Sequence, residues 1–203
     1  MQHSCTGSCQ HVDESDRGKW DLYQKIDLNN LQCLNEQRNG SGKDVFRCWD
    51  ERLDRSKFVE SDDDPELLFK IPFSGNIKLT GICIIGENEG SHPSHVKLFK
   101  NKPGLTFESA RNLADQELDI TYDPNGTLAY PVLVARFSNV NHLSLYFSHN
   151  YGAETTKIYY IGLRGEFLGG HRQEIVIANY ESKPQLSDHK TDLFQTTLHQ
   201  IQH

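Results

Sequence analysis

The sequence predicts an all-β protein, a sandwich or barrel of short strands. Leu143, Leu145 and Phe147 alternate with more polar residues, as they would in a strand that buries one face. The run 157–163 is almost continuously apolar, which is typical of a strand covered on both faces. Short apolar runs with turn residues between them recur every ~8–12 residues, which favours many short strands over helices.

The first quarter of the chain is polar and irregular. Residues 1–18 are small, polar and charged, and predict a flexible arm. The segment 20–34 mixes apolar and polar residues without alternation, which predicts a short helix or an ordered loop. Glycines and charges in 35–57 predict a surface loop. The residues expected to pin this loop to the domain are Phe46, Trp49 and Leu53.

Strand patterns begin at Phe58. In 76–85 the apolar phase changes at Gly81, which indicates a β-bulge. Residues 106–115 predict one helical turn. The other predicted strands are 66–73, 96–100, a weak 118–122, a strong 130–137, 142–147, 157–163 and 174–180.

Length and charge fit one domain with polar ends. With 203 residues the chain can bury a core that needs neither a disulfide nor a metal. We place the domain at 19–181 and a polar tail at 182–203, where helical spacing predicts a short helix. The net charge of -7 argues against nucleic-acid and anionic-membrane partners. We expect a monomer.

Cysteine use indicates a reducing compartment. The five cysteines are an odd number without tight pairing, which favours free thiols. The N-terminus has no apolar segment typical of a signal peptide, and no run reaches the ~18 apolar residues of a membrane span. We therefore expect a cytoplasmic protein that is also nuclear. Cys83, between two isoleucines of a predicted strand, is expected to pack as a small hydrophobe.

Short segments spread over residues 21–180 carry a family resemblance. The most specific are FSNV at 137–140, NYG at 150–152, TTK at 155–157 and YIG at 160–162. Others are CLNE at 33–36, FVESD at 58–62, LLF at 67–69, IPF at 71–73 and VKLF at 96–99, which leads to Asn101. In these segments the chain resembles the PITH domain family (proteasome-interacting thioredoxin domain).

The resemblance implies a fold and a partner. The implied fold is a jelly-roll-type β-sandwich, similar to galactose-binding-like domains, and the implied partner is the regulatory particle of the 26S proteasome. Other family members carry this domain behind a thioredoxin. This sequence has no Cys-x-x-Cys motif, and Cys5 and Cys9 lie four residues apart. The redox activity of a thioredoxin therefore does not carry over to this chain.

The function expected first is a non-enzymatic protein–protein interaction module. One alternative is a cytosolic regulatory scaffold in signalling or gene-expression control, without proteasome binding. A second is a glycan-binding module, which the implied fold alone suggests. Aromatic and arginine side chains anchor many interfaces. The candidate partner-binding residues are Tyr146, Asn150, Tyr151, Tyr159, Arg164 and His203, and the loop 149–156 is the expected surface.

No catalytic set or cofactor is expected. Ser144 lies two residues from His142, but no sequence feature marks a third member, and the Gly-x-Ser-x-Gly turn is missing. The acidic run 60–66 can offer oxygens to calcium, yet it lacks the pattern of a calcium loop. We expect a solvated, edge-protecting charge run there, with a docking patch for a basic partner as the alternative. Its acids are Glu60, Asp62, Asp63, Asp64 and Glu66.

Three groups of residues that contain histidine could bind a metal by their chemistry, and each also has a simpler structural interpretation. The arm residues His3, Cys5, Cys9 and His11 can bind zinc in principle, but their spacing is not that of a zinc finger, so a flexible tail is expected. His92 and His95 flank Pro93 and predict an ordinary surface turn. His199 and His203 share a helical face if the tail is helical; they either reach a partner's metal or are solvated.

Overall fold

Nine strands frame the part of the chain that this computed structural model describes, residues 10–11 and 18–170. They are β1 (Gln10–His11), β2 (Gln32–Leu34), β3 (Val59–Glu60), β4 (Leu67–Gly86), β5 (Pro93–Lys100), β6 (Gln116–Asp119), β7 (Leu128–Pro131), β8 (Val140–Asn150) and β9 (Lys157–Gly170). Every pairing among them is antiparallel. The helices are α1 (Phe107–Ala110) and 3-10 turns at Asp21–Lys25, Ser41–Lys43 and Trp49–Glu51.

The 20-residue strand β4 belongs to two sheets. Its first part, 67–72, pairs with β2 on one side and β8 on the other, and β8 continues to β5 and β6. Its second part, 75–86, pairs with β9, which continues to β3, and at Gly81 and Ile82 with β7, which continues to β1. The register with β8 shifts between Pro72 and Ile77, where β4 passes from the first sheet to the second.

The main core lies between these two sheets. It joins Phe69 and Leu145 of the first sheet with Ile84 and Ile161 of the second, and each of these side chains is fully buried. Since the apolar faces of two antiparallel sheets enclose one core, the architecture is the all-β sandwich that the sequence predicted.

Strand β9 is covered on its outer face as well. Residues 158–163 are all buried, which confirms the prediction from their continuous apolar run. Leu163 packs into the main core, whereas Tyr160 joins a second cluster with Trp20 and Trp49. A Cβ on Gly162 would lie 2.9 Å from the Trp20 ring, so this glycine leaves room for the indole.

Local signals in the sequence were accurate at two points. The register between β4 and β9 shifts between Leu79 and Gly81, which confirms the predicted bulge. The predicted helical turn is α1, capped by the Thr106 hydroxyl, which accepts from the Ser109 N–H at 3.3 Å. The segments 66–73 and 76–85, predicted as two strands, lie in the single strand β4.

The predicted strand 130–137 was too long. Strand β7 ends at Pro131, and the following Leu133 and Val134 are 52% and 38% exposed. The N–H groups of Arg136 and Phe137 both donate to the Leu133 carbonyl, at 2.8 and 3.1 Å. Because these donors bond within a turn, they are not available to a neighbouring strand, and the apolar run does not continue the sheet.

Loop 35–57 is pinned by two of the three expected residues. Phe46 and Trp49 are buried, but Leu53 is 51% exposed, which corrects that part of the prediction. A residue that the sequence did not point to completes the anchoring: Arg47 is buried, and its guanidinium donates to the carbonyls of Asp44 at 2.7 Å and Tyr159 at 2.9 Å.

Several predictions fall on the chain termini. Strand β1 lies within 1–18, the segment predicted as an arm, and pairs with Leu128 and Ala129. The rest of that arm up to residue 17, the predicted strand 174–180 and the helical tail lie outside the described residues. Within the described ranges, no helix is long and apolar enough to cross a membrane.

Candidate protein-interaction surface

Three loops meet at one end of the sandwich. They are 87–92 between β4 and β5, 120–127 between β6 and β7, and 151–156 between β8 and β9. The Tyr151 N–H donates to the His92 carbonyl at 3.2 Å, and the Asp123 N–H donates to His92 Nε2 at 3.2 Å. We call residues 87–92, 120–127 and 151–156 the loop end.

His92 is the centre of the loop end. Its side chain is fully buried, Nδ1 donates to the Pro93 carbonyl at 2.8 Å, and Nε2 accepts from the Asp123 N–H. Burial lowers the pKa of His92, so the neutral imidazole is the form that these two bonds require. The sequence predicted an ordinary surface turn at His92; the structure instead makes it a buried bridge between two loops.

Two exposed tyrosines pack on His92. Tyr122 and Tyr151 are 42% and 50% exposed, and their ring centroids lie 5.2 and 6.0 Å from that of His92. The two tyrosine rings are 6.3 Å apart and nearly perpendicular, at 89°. Edge-to-face contact of this kind is a favourable aromatic geometry.

Both tyrosines are also held at their far ends. The Tyr151 hydroxyl donates to the Ile120 carbonyl at 2.7 Å, and the Tyr122 hydroxyl donates to the Asn88 carbonyl. Each ring is therefore fixed by its hydroxyl and by the buried imidazole while keeping a large exposed area. Such a pair loses little side-chain freedom when a partner covers it.

Asn150, a predicted partner-binding residue, shapes the loop 151–156 from within. Its Nδ2 donates to the carbonyls of Ala153 at 3.0 Å and Thr155 at 2.9 Å, and its Oδ1 accepts from the Gly152 N–H at 2.9 Å. Gly152 has a φ of +108°, which a residue with a side chain rarely adopts. Asn150 positions the loop that carries Tyr151.

Charged side chains border the tyrosine pair. Arg55 donates to Asn88 Oδ1 at 3.2 Å and to the Pro124 carbonyl at 3.1 Å, and it lies 3.7 Å from Glu87. The Tyr159 hydroxyl bonds Glu87 and holds the pKa of that carboxyl below its usual value. An aromatic centre with a mixed-charge rim is the usual anatomy of a protein interface.

Two other predicted anchors are core residues. Tyr146 and Tyr159 are 2% and 5% exposed, so their rings cannot contact a partner in this conformation. Burial raises the pKa of each to about 12. Arg164 lies on β9 about 26 Å along the strand from the loop end, at roughly 3.3 Å per residue. His203 is outside the described residues.

A polar pocket with a volume of about 420 Å³ lies beside Tyr146. Its lining residues are Glu66, His95, Lys97, Arg111, Tyr146, Ser148 and His149. Arg111 and the Tyr146 hydroxyl both bond Glu66, at 2.8 and 2.6 Å, and Lys97 lies 3.3 Å from Glu117. Within the described residues, Arg111 and Lys97 of this pocket are therefore each paired with a carboxylate, which makes them less available to a ligand.

The acidic run does not assemble a metal site. Burial alone would raise the pKa of Glu66, but hydrogen bonds from Arg111 and Tyr146 hold it below its usual value. Glu60 faces Lys157 at 3.6 Å, and Asp64 accepts from Asn35 at 2.8 Å. Within the described residues, no three His, Cys, Asp or Glu side chains are grouped to hold a metal.

Cys33, Cys83 and the Ser144–His142 pair lack the features of an activated nucleophile. Burial raises the pKa of both Cys33 and Cys83, which disfavours the reactive thiolate. Cys83 is fully buried, as predicted. The Ser144 hydroxyl donates to the Lys102 carbonyl at 3.4 Å, and His142 Nδ1 has no hydrogen-bond partner, so the pair is not coupled. Cys5, Cys9 and His3, and the side chain of His11, are outside the described part.

The sequence missed two members of the loop end. Tyr122 was assigned to a weak strand and His92 to a turn, and both lie about 30 residues or more from Tyr151 in the chain. The available signal was indirect: both residues are polar aromatics beside predicted turns.

The fold is that of an all-β sandwich domain, and sequence comparison identifies its family. A family model described as the PITH domain matches residues 12–184, and the chain belongs to the PITH domain family. PITH domain-containing protein 1 of Xenopus laevis is 54% identical over 193 residues, which is 93% of this chain and 92% of that protein. The human protein of the same name is 52% identical over 180 residues, 89% of this chain and 85% of that protein.

Solved structures add a weaker similarity. CBM32-1 and CBM32-2 domains of Clostridium perfringens ZmpB, in complex with GalNAc, match with a TM-score of 0.47 and 11% identity. The match covers 78% of this chain and 41% of that one. At this level the similarity carries no argument about what this chain binds.

Proposed function

We propose that this chain is a non-enzymatic protein–protein interaction module that docks on the regulatory particle of the 26S proteasome through its loop end. The observation that carries the proposal is the exposed Tyr122–Tyr151 pair, fixed on the buried imidazole of His92. Tyrosine is enriched among the residues that dominate binding energy at interfaces. The Tyr122–Tyr151 pair is rigid and exposed, so it can contact a partner without first rearranging.

Support for the partner comes from the family. The chain belongs to the PITH domain family, and the proteasome is the partner that this family resemblance implies. The regulatory scaffold without proteasome binding is the alternative, and it would use the same surface for another protein. We place the protein in the cytoplasm and the nucleus, in keeping with the free thiols of Cys33, Cys48 and Cys83.

The test is binding to purified proteasome regulatory particle, measured by biolayer interferometry. Wild-type protein is expected to bind, and Tyr122→Ala and Tyr151→Ala are each expected to weaken binding about thirtyfold, the effect of losing a hot-spot side chain. Leu113→Ala is the matched control, because Leu113 is 89% exposed and precedes β6 at its end away from the loop end. Its affinity is expected to equal that of the wild type.

Two results contradict different parts of the proposal. Absence of wild-type binding rules out this partner and favours the scaffold alternative. Wild-type binding that both tyrosine variants retain rules out the loop end as the docking surface. Circular dichroism of each variant separates lost binding from lost folding.

One observation also favours the glycan-binding alternative. Sugar-binding modules use exposed aromatic rings, and Tyr122 and Tyr151 supply two. A glycan array probed with wild-type protein and with Tyr151→Ala distinguishes glycan binding from the protein-interaction proposal. Hits that the variant loses support glycan binding, whereas an array without hits leaves the protein-interaction proposal as the interpretation of the pair.

A further inference from the structure

Arg164 is a cation that is held in place by packing against Trp20 and Gly81. Its guanidinium lies 5.4 Å from the centroid of the Trp20 ring. A Cβ on Gly81 would lie 3.1 Å from Arg164 Nη2 and 3.2 Å from Nε, so the guanidinium packs closely over this glycine. Within the described part of the chain, this guanidinium makes no hydrogen bond and no ion pair.

The guanidinium borders a pocket on the outer face of the second sheet. Leu79 and Leu163 point into the main core, so the next residues, Thr80 and Arg164, point outward. The pocket is open to solvent and has a volume of about 440 Å³. Its lining residues are Gly18, Lys19, Thr80, Arg164, Gly165 and Glu166.

The carboxylate in this pocket belongs to another cation. Glu166 lies 3.4 Å from Lys78, its neighbour in the β4–β9 pairing, and its side chain is 63% exposed. Lys78 therefore neutralises Glu166, while the charge of Arg164 remains available. Among the described residues that line the pocket, cations outnumber anions, although the whole chain carries a net charge of -7.

We propose that this pocket binds a carboxylate side chain from an acidic segment of a partner protein. In this proposal the Arg164 guanidinium donates two hydrogen bonds to that carboxylate. A guanidinium bonds a carboxylate through two parallel N–H groups. The net charge of -7 disfavours long polyanions such as nucleic acid, whereas a short acidic segment brings few negative charges. This site is distinct from the loop end, so the inference does not rest on the tyrosine pair.

The arrangement reduces the loss of entropy on binding. Trp20 and the space above Gly81 hold the guanidinium in one place, so less side-chain freedom is lost when the carboxylate arrives. Because the pocket is open and shallow, an extended chain segment can lie across it, whereas a small molecule would leave much of its surface in water. Both features favour a segment of a protein as the occupant.

The probe for the test is a blocked hexaglutamate peptide, with blocked hexaglutamine as its uncharged counterpart. The only two tryptophans, Trp20 and Trp49, stack with centroids 5.2 Å apart, so tryptophan fluorescence reports on the side of the domain that carries the pocket. We expect a saturable change with hexaglutamate and none with hexaglutamine, and isothermal titration calorimetry gives the affinity.

Arg164→Gln is expected to weaken hexaglutamate binding about tenfold, as loss of a charge-assisted hydrogen bond predicts. Arg38→Gln is the matched control, since Arg38 also lies over an aromatic ring, Phe58 at 6.0 Å, but is already paired with Asp44. Binding by this control should be unchanged. If Arg164→Gln does not fold, Arg164→Lys serves as the test variant. Lysine keeps the positive charge but cannot donate two parallel hydrogen bonds, so hexaglutamate binding should weaken about threefold.

Three results overturn the inference: no saturable binding of hexaglutamate, equal binding of hexaglutamine, or unchanged affinity in the folded Arg164 variant. Tyr122→Ala and Tyr151→Ala should bind hexaglutamate like the wild type. A failure at the pocket is thereby distinguished from a failure of the loop-end proposal, which the regulatory particle tests separately.

Discussion

The indole rings of Trp20 and Trp49 stack with centroids 5.2 Å apart and planes at 15°. Trp20 precedes the turn Asp21–Lys25, and Trp49 lies in loop 35–57, so the stack joins two irregular segments over the outer face of β9. Tyr160 of β9 meets Trp49 edge-on at 6.2 Å. The cluster therefore holds two polar, irregular segments of the chain against the outer face of β9.

Trp49→Ala should lower the free energy of unfolding by about 3–5 kcal/mol, because it removes a buried aromatic ring and leaves a cavity. Urea denaturation followed by circular dichroism measures the change. Leu53→Ala, in the same loop but 51% exposed, should alter it by less than about 0.5 kcal/mol. Similar losses in both variants would show that the loop is not held by the tryptophan stack.

Arg47→Met should destabilise the protein by at least about 2 kcal/mol, because the buried Tyr159 carbonyl and the partly buried Asp44 carbonyl lose their donor. Arg38→Met is the control. Arg38 is mostly exposed and pairs with Asp44 at the surface, so its loss should cost less than about 1 kcal/mol. The comparison uses urea denaturation midpoints, and an Arg47 variant as stable as the Arg38 variant would contradict the anchoring role.

Gly165→Ala should destabilise the protein by about 1–3 kcal/mol or more. A Cβ there would lie 2.0 Å from the Lys78 carbonyl oxygen, which belongs to the neighbouring strand and cannot move independently of it. At Gly104 a Cβ would meet nothing within 4 Å, so Gly104→Ala should be neutral or slightly stabilising. Thermal unfolding of the two variants provides the measurement, and equal midpoints would refute the steric argument.

Stability should fall as the pH drops below about 6.5, the ordinary histidine value. Burial lowers the pKa of His92 in the folded state, so between the two pKa values the unfolded chain binds a proton that the folded chain does not. Burial also lowers the pKa of His95 and of His142. His92→Asn should reduce the loss of stability between pH 7.5 and 5.5, as urea midpoints at the two pH values would show. An unchanged pH dependence would contradict this assignment.

Strand framework and family were predictable because both depend on short-range patterns. Alternation in 142–147 reflects the two faces of a strand, and the phase change at Gly81 reflects a bulge; neither needs knowledge of distant residues. The missing Cys-x-x-Cys is likewise visible in the sequence alone. By contrast, the end of β7 at Pro131 depended on hydrogen bonds to Leu133 that no periodicity records.

The candidate interaction surface was predictable only in part. Tyr151 was proposed because its loop is short, polar and flanked by clear strands. Its partners Tyr122 and His92 come from two other loops and meet it only when β5, β6 and β8 pair. Long-range pairing of this kind leaves no local pattern in the sequence.

From its residues alone the chain is an all-β member of a recognisable family without a catalytic dithiol. Which aromatic rings are exposed was settled by tertiary contacts. Tyr146 points to the outer face of its sheet, as alternation requires, yet Phe107 of α1 packs against it at 6.2 Å and buries it. Alternation assigns a side chain to a face, whereas exposure depends on which distant segment covers that face, and only the folded chain brings those segments together.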